Sequence, residues 1–115
     1  MNEIIQIAER LEKFAIDRDW NQFHSPKNLS MALAVEAAEL MQEFQWMTDE
    51  ESKNVSSEKK LKIKEEIADV FNYLVRISSK LQIDIIAAAN EKIIENGKKY
   101  PVEKAKGNAK KYTEF

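Results

Sequence analysis

Four carboxylates occupy positions where a helix normally hides apolar side chains. Between Leu29 and Trp46, apolar residues at 29, 33, 40 and 44 mark one helical face, and Glu36 falls in the gap of that stripe. An ionised carboxylate is costly there without a partner. Glu39 lies three residues on, so on a helix it stacks beside Glu36 and the two acids can share one ligand. The segment from Lys64 to Arg76 repeats the arrangement with Glu66 and Asp69. If the two helices pack antiparallel, the four acids converge, and no Lys or Arg of either segment is obviously placed to offset them. A hard divalent cation would resolve this concentration of charge, and Mg²⁺ suits oxygen-only ligands that leave room for water and phosphate. The plainer reading is a set of surface acids on charged helices, which are common.

A metal held by carboxylates calls for an anionic substrate. Lys92, Asn96 and Lys99 share the end of a later helix and the turn after it, followed by Tyr100. Lysines there can neutralise phosphate oxygens and the amide of Asn96 can donate to them. Taken alone, this stretch reads better as a solvated helix terminus whose lysines complement the dipole. Trp20, Phe23, His24 and Trp46 border the two ends of the helix that carries Glu36. Singly, such aromatics are core plugs; beside an acid cluster they would form a slot for a flat base, with His24 and Asn28 hydrogen-bonding to base edges or sugar.

The elements that must position these groups are helical. The chain has 115 residues, 43% hydrophobic and 33% charged, with only two Gly and two Pro, which argues for one small, mostly α-helical domain. An amphipathic helix is expected from residue 2 to about 18, followed by a break through Asp17–Pro26. Ser25 and Pro26 form an N-cap and first-position pair for the second helix, which fades near Trp46. Thr48–Ser57 has no apolar stripe and reads as an exposed, mobile connection. A third helix is expected from about Glu58 to Leu81, with a seam at Ile63, Ile67, Val70, Leu74, Ile77 and Leu81 and with Glu66, Asp69 and Tyr73 one position to its side. Asp84 caps a fourth helix, stopped at Gly97. Together these predict an all-α four-helix bundle, in which apolar groups on more than one face of the third helix call for a homo-oligomer.

Composition removes several chemistries. With no Cys there is no disulfide, thiolate site or cysteine nucleophile, and one His excludes multi-histidine zinc sites and the Glu-x-x-His pairs of di-iron bundles. The net charge of −2 gives no pull toward nucleic acid. The absence of a signal-peptide core or membrane-length apolar run sets a cytoplasmic location, with no membrane partner, as the expectation.

Four blocks, spread over most of the length, then carry a resemblance: Arg18–Leu29; Glu36-Ala-Ala-Glu-Leu-Met-Gln-Glu-Phe-Gln-Trp46; Glu65-Glu-Ile-Ala-Asp-Val-Phe-Asn-Tyr-Leu74; and Lys99-Tyr-Pro101 with Lys111-Tyr-Thr113. In this order they resemble the MazG-like all-α nucleoside triphosphate pyrophosphohydrolases, in particular the dCTP pyrophosphatase branch. The resemblance implies a single domain over residues 1–115 that hydrolyses a nucleoside triphosphate between its α and β phosphates. It implies Mg²⁺ on Glu36, Glu39, Glu66 and Asp69, with Glu39 or Glu36 as the base. It further implies phosphate contacts from Lys92, Asn96, Lys99 and Tyr100, and a base and sugar pocket from Trp20, His24, Asn28, Trp46 and Tyr73, completed in relatives by a neighbouring subunit of a dimer or a tetramer of dimers. Leu11 departs from the animal members of that branch, which carry a His there. The alternative from the residues alone is a non-catalytic helical module that binds a partner through its acids.

Overall fold

The fold is known here from a computed structural model, which describes residues 2–115. It is all-helical, with no strand among the described residues. Four long helices are present: α1 (Glu3–Asp17), α2 (Pro26–Gln42), α4 (Ser57–Lys80) and α5 (Ile85–Lys99). Two short helices, α3 (Asp49–Ser52) and α6 (Val102–Ala105), and 3-10 turns at Asn21–Phe23 and Tyr112–Glu114 complete the chain. Compactness divides it into two units, Met1–Gln82 and Ile83–Phe115.

Side-chain caps set the helix starts. Asn2, Ser25, Ser56 and Asp84 each accept a hydrogen bond from a backbone N–H of the first turn, and Pro26 follows Ser25 at the first helical position. Two expectations change. The connection after Trp46 is not structureless, because Thr48 and Glu51 form a reciprocal capping box that holds α3. Gly97 does not stop α5, which runs on to Lys99. The helix ends instead at Tyr100, whose backbone leaves the helical region before Pro101.

In the first unit α4 is the central element, packed against both α2 and α1. Lys59, near the start of α4, pairs with Glu43, just past the end of α2, at 2.8 Å, so the two helices run antiparallel. The inner face of α4 differs from the expected seam. Lys59, Ile63, Glu66, Val70, Tyr73, Val75, Arg76, Ile77 and Lys80 are among the buried or half-buried positions, whereas Ile67, Leu74 and Leu81 are exposed. The buried apolar side chains of this unit, Ala15, Leu29, Ile63 and Val75, make a thin core. Large apolar side chains such as Met31, Val35 and Ile67 remain more than half exposed.

Candidate active site

The inner stripe of α2 runs through Leu29, Leu33, Glu36, Glu39 and Leu40, so both acids point where the apolar period would otherwise place a core residue. Opposite them, α4 presents Glu66 on its own inner stripe. One carboxylate oxygen from each of Glu36, Glu39 and Glu66 lies within 4.8 Å of the others. All three side chains are half-buried, and Oε2 of both Glu36 and Glu66 is shielded from solvent without any hydrogen-bond partner. Buried polar atoms are rarely left unmatched, so this pair is a marked exception.

The electrostatics agree. Burial, and then the neighbouring Glu39, Asp69 and Glu66 carboxylates, push the Glu36 carboxyl up to about 7. Glu66 is raised as well, first by burial and then by Glu39 and Asp69. Asp69 stands outside the close trio, exposed, yet its charge acts on Glu36, on Glu66 and on the Tyr73 phenol, which burial, then Glu36 and Asp69, push above its ordinary range. Unpartnered oxygens and mutual repulsion are two penalties that a hard divalent cation would relieve, and a donor set made only of carboxylates suits one.

Beside the acids lies a cavity of about 320 Å³, lined by Leu11, Phe14, Ala15, Trp20, His24, Asp69, Asn72, Tyr73 and Arg76. The chain reaches it through the end of α1. There the N–H groups of Asp19 and Trp20 bond back to Ile16 and Ala15 in a Schellman-type cap, with Asp19 in the left-handed region at φ 55°. That reversal throws Trp20 and the following turn back along α1, where the Trp20 ring meets Phe14 and His24 edge-on at 5.7 and 6.2 Å. The structure therefore brings Trp20, His24, Tyr73 and Asp69 to one cavity. Asn28 and Trp46 are not among its lining residues: the Asn28 amide donates to Phe23 O at 3.0 Å, closing the turn into α2, and Trp46 is 89% exposed.

Residues not anticipated from the sequence sit at the same cavity. Arg76, only 4% exposed, donates to Glu12 and Asn21 and, at 3.3 Å, from Nε to His24 Nδ1. Asn21 in turn donates to Glu12 at 3.1 Å and accepts from Lys80 at 3.0 Å. This network ties α1, the 3-10 turn and α4 together. Arg76 belongs to the segment that carries Glu66 and Asp69, but Glu12 takes up its charge. The nearest sequence signal was a charged residue on the inner face of α4, three positions after Tyr73.

The second unit holds the remaining candidates. Lys92 and Lys99 both pair with Glu95, at 3.6 and 3.4 Å, and together they draw its carboxyl below the usual range. Tyr100 caps α5 and packs edge-on against Tyr112 and Phe115 at 5.9 and 5.8 Å, while the Lys99 ammonium lies 4.9 Å from the Tyr112 ring. Asn96 contributes its carbonyl to the Tyr100 N–H at 2.8 Å.

Fold and site together define a small all-α protein with an acidic, oxygen-only centre and an aromatic cavity at its side. Residues 31–115 match the family described as MazG-like. Human dCTP pyrophosphatase 1 is 39% identical over 105 residues, covering 90% of this chain and 62% of its own length, and the bovine protein of the same name gives the same figures. The chain thus spans less than two thirds of these curated relatives. Among solved structures, a pyrophosphatase from Archaeoglobus fulgidus superposes with a TM-score of 0.82 at 34% identity, covering 88% of this chain and 94% of that one. The chain belongs to the MazG-like family. Membership implies use of a divalent metal, and the Glu36, Glu39 and Glu66 cluster offers the donors for one.

Proposed function

We propose that this chain is a Mg²⁺-dependent nucleoside triphosphate pyrophosphohydrolase that converts dCTP, or a related or modified deoxynucleotide, to the monophosphate and pyrophosphate, clearing unwanted nucleotides from the pool. The observation that carries this reading is the trio of half-buried carboxylates on antiparallel helices with two oxygens left unmatched. The names of the relatives and of the archaeal neighbour support the bond and the substrate class.

Glu36, Glu39, Glu66 and Asp69 would hold the metal. When bound, Mg²⁺ supplies neutralisation of the phosphate oxygens and lowers the pKa of water. Glu39 or Glu36 takes the proton of the water that attacks the α-phosphorus, while the bond from that phosphorus to the bridging oxygen breaks and pyrophosphate leaves with the electron pair. Lys92, Asn96, Lys99 and Tyr100 bind the phosphate chain. Trp20, His24 and Tyr73 receive the base, and Asn28 and the exposed Trp46 complete the pocket of a neighbouring copy. Residues 1–115 act as one domain, in a cytoplasmic homodimer or dimer-of-dimers tetramer, and the half-exposed apolar stripe of Ile67, Leu74 and Leu81 on α4 supports such an assembly.

The test is incubation of the full chain with dCTP and MgCl₂, followed by product analysis. dCMP and pyrophosphate are expected; dCDP with inorganic phosphate would contradict the bond assignment. Light scattering checks the assembly, which a stable, active monomer would exclude.

A further inference from the structure

We propose that Arg76 is a positioning residue for ring recognition: by holding Nδ1 of His24 it leaves Nε2–H as the imidazole group open to a ligand, so the cavity selects a flat heterocycle bearing a hydrogen-bond acceptor, such as a pyrimidine carbonyl. This deepens the nucleotide reading above and rests on it for the identity of the ligand.

The first step is one of donors and acceptors. A guanidinium has only N–H groups and stays charged, so the 3.3 Å contact from Arg76 Nε requires a bare, accepting Nδ1 on His24. A neutral imidazole then carries its proton on Nε2. The second step is rigidity. Arg76 is 4% exposed, and its other nitrogens are taken by Glu12 from α1 and Asn21 from the 3-10 turn, so the guanidinium is fixed from two other elements before any ligand arrives. Lys80 adds a further bond to Asn21 at 3.0 Å.

The third step is charge. Burial, then the positive charges of Arg76 and Lys80, hold the imidazole below its ordinary range, with Glu12 opposing them. A cationic His24 would lose the Nδ1 acceptor and face the guanidinium. Asp69 is the remaining charged group on the cavity wall. Finally, Phe14, Trp20 and Tyr73 supply flat apolar surface in a volume of about 320 Å³, toward the small end of ligand pockets. A single donor on such a wall discriminates strongly against rings that leave it unpaired.

His24 is the only histidine, so its imidazole nitrogen NMR signals need no assignment. At pH 7 the full chain is expected to show a neutral ring protonated on Nε2, and added dCMP is expected to shift that N–H. A charged ring, an Nδ1–H ring, or no response to dCMP overturns the proposal. Arg76→Lys retains a cation beside Glu12 without the fork, so mixed tautomers are expected, with KM for dCTP raised about 10-fold and kcat within about 2-fold. An unchanged spectrum and KM in that variant also overturn it. If Arg76→Lys fails to fold by circular dichroism, a second pair decides. His24→Gln places an amide N–H near the former Nε2 and His24→Asn near the former Nδ1, so the Gln variant should bind dCMP at least about 5-fold more tightly than the Asn variant. Equal binding by the two overturns the proposal. These readouts do not require hydrolysis, so failure of the enzymatic reading is seen separately, as absence of pyrophosphate.

Discussion

α4 carries two polar layers on its inner face, and they are opposites. At Arg76 a buried cation is matched by Glu12 of α1 and by Asn21 and His24 at the 3-10 turn that follows it. At Glu66, about 15 Å back along the helix, three acids meet and two of their oxygens have no partner. The first layer is satisfied within this chain and holds the His24 ring in place. The second is a deficit that a divalent cation would fill, and the difference separates charges matched inside the chain from charges left for a ligand.

Substitutions should separate the layers by sign. The largest effect is expected from Glu39→Gln, which should lower pyrophosphate release from dCTP by about 10³-fold while leaving the far-ultraviolet circular dichroism intact. Full activity in that variant would undo the metal assignment. Next, Glu12→Ala should destabilise the protein by about 2 kcal/mol in urea titrations, because Arg76 stays buried with its main counter-charge gone. By contrast, Glu36→Gln in metal-free protein should be neutral or stabilising by up to about 1 kcal/mol, since it relieves repulsion at a site held for function. If both variants destabilised equally, the distinction between the layers would be lost.

A smaller effect concerns pH. The Glu36 carboxyl has an ordinary value of 4.5 and stands at about 7 in the fold. Its folded form binds a proton more tightly than its unfolded form, so its contribution to stability is complete below about 4.5 and is lost as pH rises through about 7. Metal-free protein should therefore melt at progressively lower temperature across that window. A cation competes with the same proton, so the rise in melting temperature on adding Mg²⁺ should grow over the same interval. A pH-independent increment would argue against Glu36 as a ligand.

The contrast also explains what was legible in the sequence. Glu36 and Glu39 stood out because their neighbours on α2 are apolar at helical spacing, so an acid in the stripe is conspicuous. Their convergence with Glu66 was conditional on antiparallel packing, which no residue pattern within either helix decides. The seam of α4 was misplaced because the helix carries two overlapping stripes. The more apolar one, through Ile67, Leu74 and Leu81, is exposed in the single chain, while the packed one mixes Lys59, Glu66 and Lys80 with Ile63 and Val70. Periodicity measures apolarity and does not say which surface meets this chain and which is left for another. Arg76 escaped notice because its partners Glu12 and Asn21 lie 64 and 55 residues away, a pairing no local pattern records. The α3 helix was readable from Thr48-x-x-Glu51, but its lack of apolar residues made a loop the simpler expectation.

The central claim is that the Glu36, Glu39 and Glu66 layer exists to take a divalent cation. Calorimetric titration of MgCl₂ into the metal-free chain near pH 7, repeated in buffers of different ionisation enthalpy, tests it most directly. The account predicts saturable binding accompanied by proton release, since Glu36 must ionise to coordinate, and loss of both signals in the combined Glu36→Gln and Glu66→Gln variant. Binding that releases no proton, or that survives the double substitution unchanged, would contradict it.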